Sequence, residues 1–428
     1  MRQELKPIIT PVVGPFLDPN ASRLREDEMR VVGCDWGCNQ REPVETVPTD
    51  SVLGLFLFHH LAIRPKVLLT ASVIIWMVAL VFGSIFATPS LAAERQVLHG
   101  HVPAAVTKLN LQLVGRLPAT TNLNLAIGLP LRNREVLTKL LQQIYDLRSP
   151  NYRHYLTPAQ FTEMFGPTEQ DYQTLIAFAK ANGLTVIGTH PNRTLVDVKA
   201  TVADIERVFN LTMRVYQHPT EARTFYAPDV EPSVDLAIPV LAIDGLDNFI
   251  IPRPMGFQRV RSGQATNAIT ANGSAPDGVS YMGDDFRAAY VPSTSLTGSG
   301  QAVGLLELDG YYATDIATYE HEAGLLPVPL TNVLVSQFSG NPDGNARNVG
   351  EVSLDIEMAI SMAPGLDKVI VYEATDDLAF VNDVLNRMAT DNLARQLSCS
   401  WDIGDNPSRD QIYQQYAAQG AVVFPGIR

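Results

Sequence analysis

Residues 302–308 read Ala302-Val303-Gly304-Leu305-Leu306-Glu307-Leu308, a short and almost wholly apolar run that reads as a buried strand. Helices and strands alternate after it. A helix is expected over about 313–323 and a strand over 332–336. A helix over 349–362 leads to a strand over 368–374. Thr375 can cap a helix carrying Leu378, Val381, Leu385 and Met388, and a fourth strand covers 394–400. Ser408 and Gln411 have capping-box spacing, Gly420 ends that helix, and 421–424 begin a fifth strand. Alternating strand and helix imply an α/β domain, doubly wound about a mainly parallel sheet. Sites in such sheets form at the carboxyl ends of the strands, and Glu307 and Trp401 lie at or just after two of those ends.

The helix over 349–362 contains Gly350-Glu351-Val352-Ser353-Leu354-Asp355-Ile356-Glu357-Met358-Ala359-Ile360. Glu351 and Asp355 stand four apart and so share a face. The helix is apolar nearly all round, which predicts burial. Burial raises carboxyl pKa values, and two neighbouring carboxylates resist joint ionisation. One reading is a proton-sharing functional pair. The other is a helix start whose acidic residues sit near its positive dipole.

Residues 100–250 have a different rhythm. Leu123, Leu125, Ile127 and Leu129 alternate with Asn124, Ala126 and Gly128, as in a half-buried strand. A helix is expected over 132–146. Thr157, Pro158 and Gln160 then start a short helix, and another covers 169–182 and stops at Asn182-Gly183. Strands over 184–189 and 194–199 flank the turn at 190–193, and a helix over 201–210 leads to a strand at 211–216. The order is that of an α+β, ferredoxin-like split βαβ unit. Residues 251–280 are rich in Pro, Gly, Ser, Asn and Ala and read as an accessible linker.

Residues 67–86 carry no charge, and at about 1.5 Å per residue they match the thickness of a bilayer core. Arg64 and Lys66 precede them, which predicts export of the chain beyond residue 86. A signal peptide or membrane anchor is therefore expected over 66–93, with a cleavage site near Ala92 or Ala93. Residues 1–65 show no period and are left unassigned, as a leader with a start site placed too far upstream.

The composition excludes other classes. Lys and Arg number 32 against 45 Asp and Glu, a net charge of −13, which argues against nucleic acid as a partner. Three cysteines, Cys34, Cys38 and Cys399, cannot make a disulfide scaffold, and the first two lack zinc spacing and a second half. The eight histidines show no metal-ligand spacing. His154 and His190 read as solvent or packing residues.

The stretches YRHYLTPAQFTEMFGPTEQDY (152–172), NGLTV (182–186) and THPNRTLVDVKATVADIERVFN (189–210) resemble the activation prodomain of the sedolisin (kumamolisin-like, serine-carboxyl) peptidases. GEVSLDIE (350–357), followed by MAPG, resembles their catalytic helix. The resemblance implies a prodomain at 102–250, a linker at 251–280, and part of a subtilisin-like catalytic domain at 281–428. It places the catalytic Glu on Glu351 and its Asp partner on Asp355, with Glu307 and Trp401 in a supporting network. The Glu would take the proton of a nucleophilic serine, and the Asp would orient that Glu. It further implies peptide or protein substrates, an inhibitory contact between prodomain and catalytic domain, and acid activity.

The family's SGDSG-like oxyanion segment, its GTS motif with the nucleophile, and its calcium site are not found in the 428 residues. The tail after 421 resembles one left by a frameshift or early stop. No cofactor or metal is therefore expected in this chain, and the truncated chain is expected to be inactive as given. A secreted prodomain-type inhibitor and a membrane-anchored binding protein are the alternatives.

Overall fold

The computed structural model describes residues 95–109, 111–255, 273–278 and 280–425. The leader, the apolar run 67–86, the cleavage site, most of the linker and the last three residues lie outside the described residues. Among the described residues no helix is long and apolar enough to cross a membrane.

The first half comprises β1 (Gln96–Val97), α1 (Ala104–Lys108), β2 (Leu113–Arg116), β3 (Asn122–Gly128), α2 (Arg134–Tyr145), α3 (Pro158–Phe165), α4 (Glu169–Ala181), β4 (Thr185–Thr189), β5 (Leu195–Thr201), α5 (Val202–Phe209), β6 (Met213–Gln217), β7 (Thr224–Pro228), β8 (Ser233–Val234), β9 (Ala242–Asp244) and β10 (Arg253–Pro254). Thr157 and Gln160 form the expected capping box on α3. An antiparallel sheet runs in the order β4-β5-β3-β9. The strand expected to complete it, at 211–216, does not do so. That segment, as β6, pairs with β2 and β7 in a separate three-stranded sheet, and β9 takes the place beside β3. β3 also departs from half-burial. Ala126 and Gly128 are buried along with Leu125 and Ile127. These small residues let the second half approach, and a Cβ on Gly128 would stand 3.0 Å from Ser408 Oγ.

The second half contains α6 (Asp284–Tyr290), β11 (Ala302–Glu307), α7 (Ala313–Glu322), β12 (Leu330–Leu334), α8 (Ala346–Met362), β13 (Lys368–Glu373), α9 (Leu378–Asp391), β14 (Gln396–Cys399), β15 (Trp401–Asp402), α10 (Pro407–Gln419) and β16 (Val422–Pro425). Five strands pair in parallel in the order β12-β13-β11-β14-β16. Their apolar runs are covered by helices. Leu305, Leu306, Val369, Ile370 and Val371 pack in one core with Val352, Ile356 and Ile360 of α8 and Val381 and Leu385 of α9.

Two caps differ from expectation. Asp377, not Thr375, caps α9, and Asn406 caps α10 by accepting from Arg409 N at 2.8 Å. Ser408 and Gln411 are drawn instead to the first half. Ser408 Oγ donates to Asp244 Oδ2 at 2.8 Å, and Gln411 bonds the backbone of Leu129 and Leu131. Asn192 is completely buried between Asn386 and Gln415, bonding both. Leu195 belongs to the second half's core, and Ala418 packs with Leu137, Phe161 and Phe165. The halves therefore share apolar packing as well as buried, mutually satisfied polar groups.

Candidate active site

β11 and β14 are neighbours, yet the chain visits β12 and β13 between them. The strand order reverses here, which leaves a crevice at the carboxyl ends. Glu307 closes β11, and Ser400 and Trp401 follow β14 directly. α8 crosses behind with Glu351 and Asp355 one turn apart. It begins at Ala346, a turn earlier than the sequence suggests, and Asn345 caps it. No acidic residue lies in its first turn, so the helix-dipole reading of the pair loses its basis, since that effect fades beyond one turn.

Three of the four residues singled out by sequence are joined by hydrogen bonds, and the fourth, Glu351, lies one turn before Asp355 on the same helix. Trp401 Nε1 donates to Glu307 Oε2 at 3.0 Å, and both side chains are buried. The Glu307 carboxyl in turn donates to Asp355. Burial, and then the charge of Asp355, hold the Glu307 pKa well above the usual carboxyl range, so Glu307 carries the proton. Burial also raises Asp355, while its bonds from Ser400 and Glu307 oppose the rise. Glu351 is buried and has one carboxylate oxygen without a partner among the described residues. Burial and the charge of Asp355 push it up to about 7, against the pull of Arg347 one turn away. The arrangement is a hydrogen-bonded relay from Trp401 to Asp355, with Glu351 beside it on the helix and not bonded to it. An indole fixes a neutral acid, the acid fixes Asp355, and Glu351 stands next on the helix as a group able to change protonation near neutrality.

Three contributors escape a reading of the sequence. Ser400 Oγ donates to Asp355 Oδ1 at 2.9 Å, so this serine orients a carboxylate; it is not placed on Glu351. β10 pairs antiparallel with β15, Pro254 opposite Trp401, and Met255 N donates to Ser400 O at 2.8 Å. Arg347 Nη2 donates to Pro254 O at 3.2 Å. The chain leaving the first half thus lies as an extended strand along the edge of the relay. Extended segments carry little local signal of their own, and the pairing partner here is about 150 residues away.

Residues 110–249 match the profile of the Pro-kumamolisin activation domain. The chain is 27% identical over 295 residues to Kumamolisin from Bacillus sp. (strain MN-32), covering 68% of this chain and 52% of that protein. It is 27% identical over 339 residues to Xanthomonalisin from Xanthomonas sp. (strain T-22), covering 72% and 39%. It is 25% identical over 333 residues to Sedolisin from Pseudomonas sp. (strain 101), covering 74% and 56%. The chain spans about half the length of these relatives or less. A solved structure of Pseudomonas sedolisin (serine-carboxyl proteinase), complexed with two molecules of pseudo-iodotyrostatin, aligns over 36% of this chain and 44% of that chain, with 19% identity and a TM-score of 0.31. Through the activation domain matched at residues 110–249 and these relatives, the chain is similar to peptidase precursors of the sedolisin family.

Proposed function

We propose that the chain is the precursor of an exported serine-carboxyl endopeptidase acting in acid, with Glu351 as the base and Asp355 as its partner; Glu351 would serve as base in acid only after losing the burial that holds it at about 7 in the precursor. Glu307 and Trp401 hold Asp355 in place, and Ser400 completes its hydrogen bonds. The observation that carries this reading is the buried chain from Trp401 through Glu307 to Asp355, set at a strand-order reversal behind Glu351. A peptide substrate would lie where β10 lies, extended against residues 400–402, and the first half therefore blocks its own site. Export rests on the charge-free run 67–86 with its cationic flank.

A peptide bond also needs a nucleophile. No GTS motif occurs in the 428 residues. A polypeptide of these residues alone is expected to show no peptidase activity, since losing a triad nucleophile costs about 10⁶ in turnover.

The test compares two proteins in acid on a quenched peptide library. One is the chain as given. The other is extended after residue 420 in the reading frame of its locus that encodes an SGDSG-like segment and a GTS motif. Cleavage is expected from the extended protein alone, and Glu351→Gln should abolish it. Absence of any such frame, or cleavage that survives Glu351→Gln, overturns the reading.

A further inference from the structure

A cavity of about 750 Å³ lies apart from the relay, between the turn after β4 and helix α9. His190, Asp197 and Asp383 all line it. The first two belong to the β4–β5 hairpin and the third to α9, so the group bridges the two halves. We propose that these three side chains bind one divalent ion of the zinc class and that the ion clamps the halves together.

The spacing fits an ion. His190 Nε2 stands 2.8 Å from Asp197 Oδ2 and 3.6 Å from Asp383 Oδ1, and one ligand atom from each of the three lies within 4.8 Å of the others. Two ligand atoms at about 2.0–2.1 Å from a tetrahedral zinc are roughly 3.3 Å apart. The observed separations straddle that value. The side chains are 11%, 6% and 4% exposed. Asp197 Oδ1 is buried and has no hydrogen-bond partner among the described residues, and Asp383 Oδ1, also without a hydrogen bond, faces His190 Nε2 only at 3.6 Å. Buried carboxylate oxygens without partners are costly unless something positive reaches them.

The surroundings are shaped around the group. The pairing of β4 with β5 slips between Val186 and Gly188, a bulge that re-aims the strand. A Cβ on Gly188 would stand 2.1 Å from Asp197 Oδ2, so the carboxylate occupies the space a side chain would fill. Ser336 Oγ donates to Asp383 Oδ2 at 2.5 Å and leaves Oδ1 free for His190. Tyr172 Oη accepts from His190 N at 2.8 Å and donates to Leu195 O at 2.7 Å, which pins the turn. These are the outer contacts that hold ligands in position in metal sites. Two carboxylates and a neutral imidazole balance a doubly charged ion. One nitrogen among two oxygens favours zinc over calcium or magnesium, which take oxygen ligands. The cavity leaves room for water in the fourth position. In the metal-free chain, against the effect of burial, Asp197 and Asp383 raise His190 to about 10, so its Nε2 carries a proton that metal binding must displace and release.

The test uses the full chain with Cys34→Ser and Cys38→Ser, which removes competing thiols, after stripping with a chelator. Zinc is titrated calorimetrically at pH 7.5, with cobalt(II) as an optical probe. One equivalent should bind, with visible cobalt bands of four- or five-fold coordination. His190→Ala and Asp383→Asn should each weaken binding by more than about 100-fold, and Ser336→Ala by about 10-fold. Far-UV circular dichroism checks that each variant is folded. If a ligand variant does not fold, ring-nitrogen NMR of the parent chain decides, because one equivalent of zinc must shift Nε2 of His190. Absence of saturable binding, binding unchanged in both ligand variants, or a shift confined to other histidines overturns the site.

Discussion

Carboxylates paired with arginine at the surface of the first half and carboxylates buried in the second respond to acid in opposite ways. In the first half Asp204 and Glu221 sit at the surface against arginine, whereas burial raises Asp244, and raises Asp247 to about 6. Bonds from Arg207 and Thr201 hold Asp204 below its usual value, and bonds from Arg223 and Arg253 hold Glu221 at about 2. In the second half they are crowded and buried. Burial, and then Asp355, put Glu351 at about 7; burial, and then Asp309, put Glu373 there too; and burial with Asp315 does the same for Glu357. Burial and neighbouring Asp343 raise Asp309 to about 6. A raised carboxyl binds more protons in the folded state, so stability falls as pH rises from the ordinary 4.5 towards 7. A lowered carboxyl contributes stability above 4.5 that is lost only as pH falls towards 2. Between about 4.5 and 7, acid therefore strengthens the buried carboxyls, most of them in the second half, and leaves the arginine pairs of the first intact. One residue type gives both behaviours; burial produces the one and an arginine partner the other.

The largest effect should come from Trp401→Ala. It opens a cavity and strips Glu307 of its donor, for a loss of about 3–5 kcal/mol. Because Leu195 and Ala418 each pack in the other half's core, urea unfolding should shift as one transition. A first-half transition left in place would break the coupling. Next comes Glu351→Gln, which removes a raised carboxyl. It should stabilise the chain at pH 8 by on the order of 2–3 kcal/mol and do almost nothing at pH 4.5. Urea midpoints at the two pH values check this, and an equal effect at both would remove the contrast between the halves. The smallest effect is Glu221→Gln in the first half. Its partners are partly exposed, so a loss below about 1 kcal/mol is expected at pH 7, vanishing as pH falls from 4.5 towards 2. A larger loss in acid than at pH 7 would reverse the sign assigned to the first half.

The legible part of the chain is local. The i, i+4 spacing of Glu351 and Asp355 determines a shared face once a helix is granted, and the Thr157–Gln160 box lies within a single turn. Glu307 and Trp401 stand out because strand ends can be read from hydrophobic runs. The illegible part depends on distant partners. Nothing within 211–216 tells it to pair with β2 and β7 in place of β3. Ser408 and Gln411 have the right spacing for a cap, but Asp244 and the backbone at Leu129 and Leu131 compete for their side chains. His190 reads as a turn residue until α9 brings Asp383 to it. Ser400 shows no role until α8 sets Asp355 beside it.

The strand at 253–255, held against residues 400–402, is joined to the first half by its own backbone. A tethered segment meets its site at an effective concentration on the order of millimolar, whatever the concentration of protein. Free peptide competing for the same edge must overcome that local excess, so occupancy is independent of dilution while the chain is continuous. Severing the backbone between residues 255 and 273 turns the first half into a separate molecule. Its hold on the second then depends on how far the solution is diluted, and a single hydrolysed bond converts an intramolecular strand pairing into a bimolecular one with a dissociation constant.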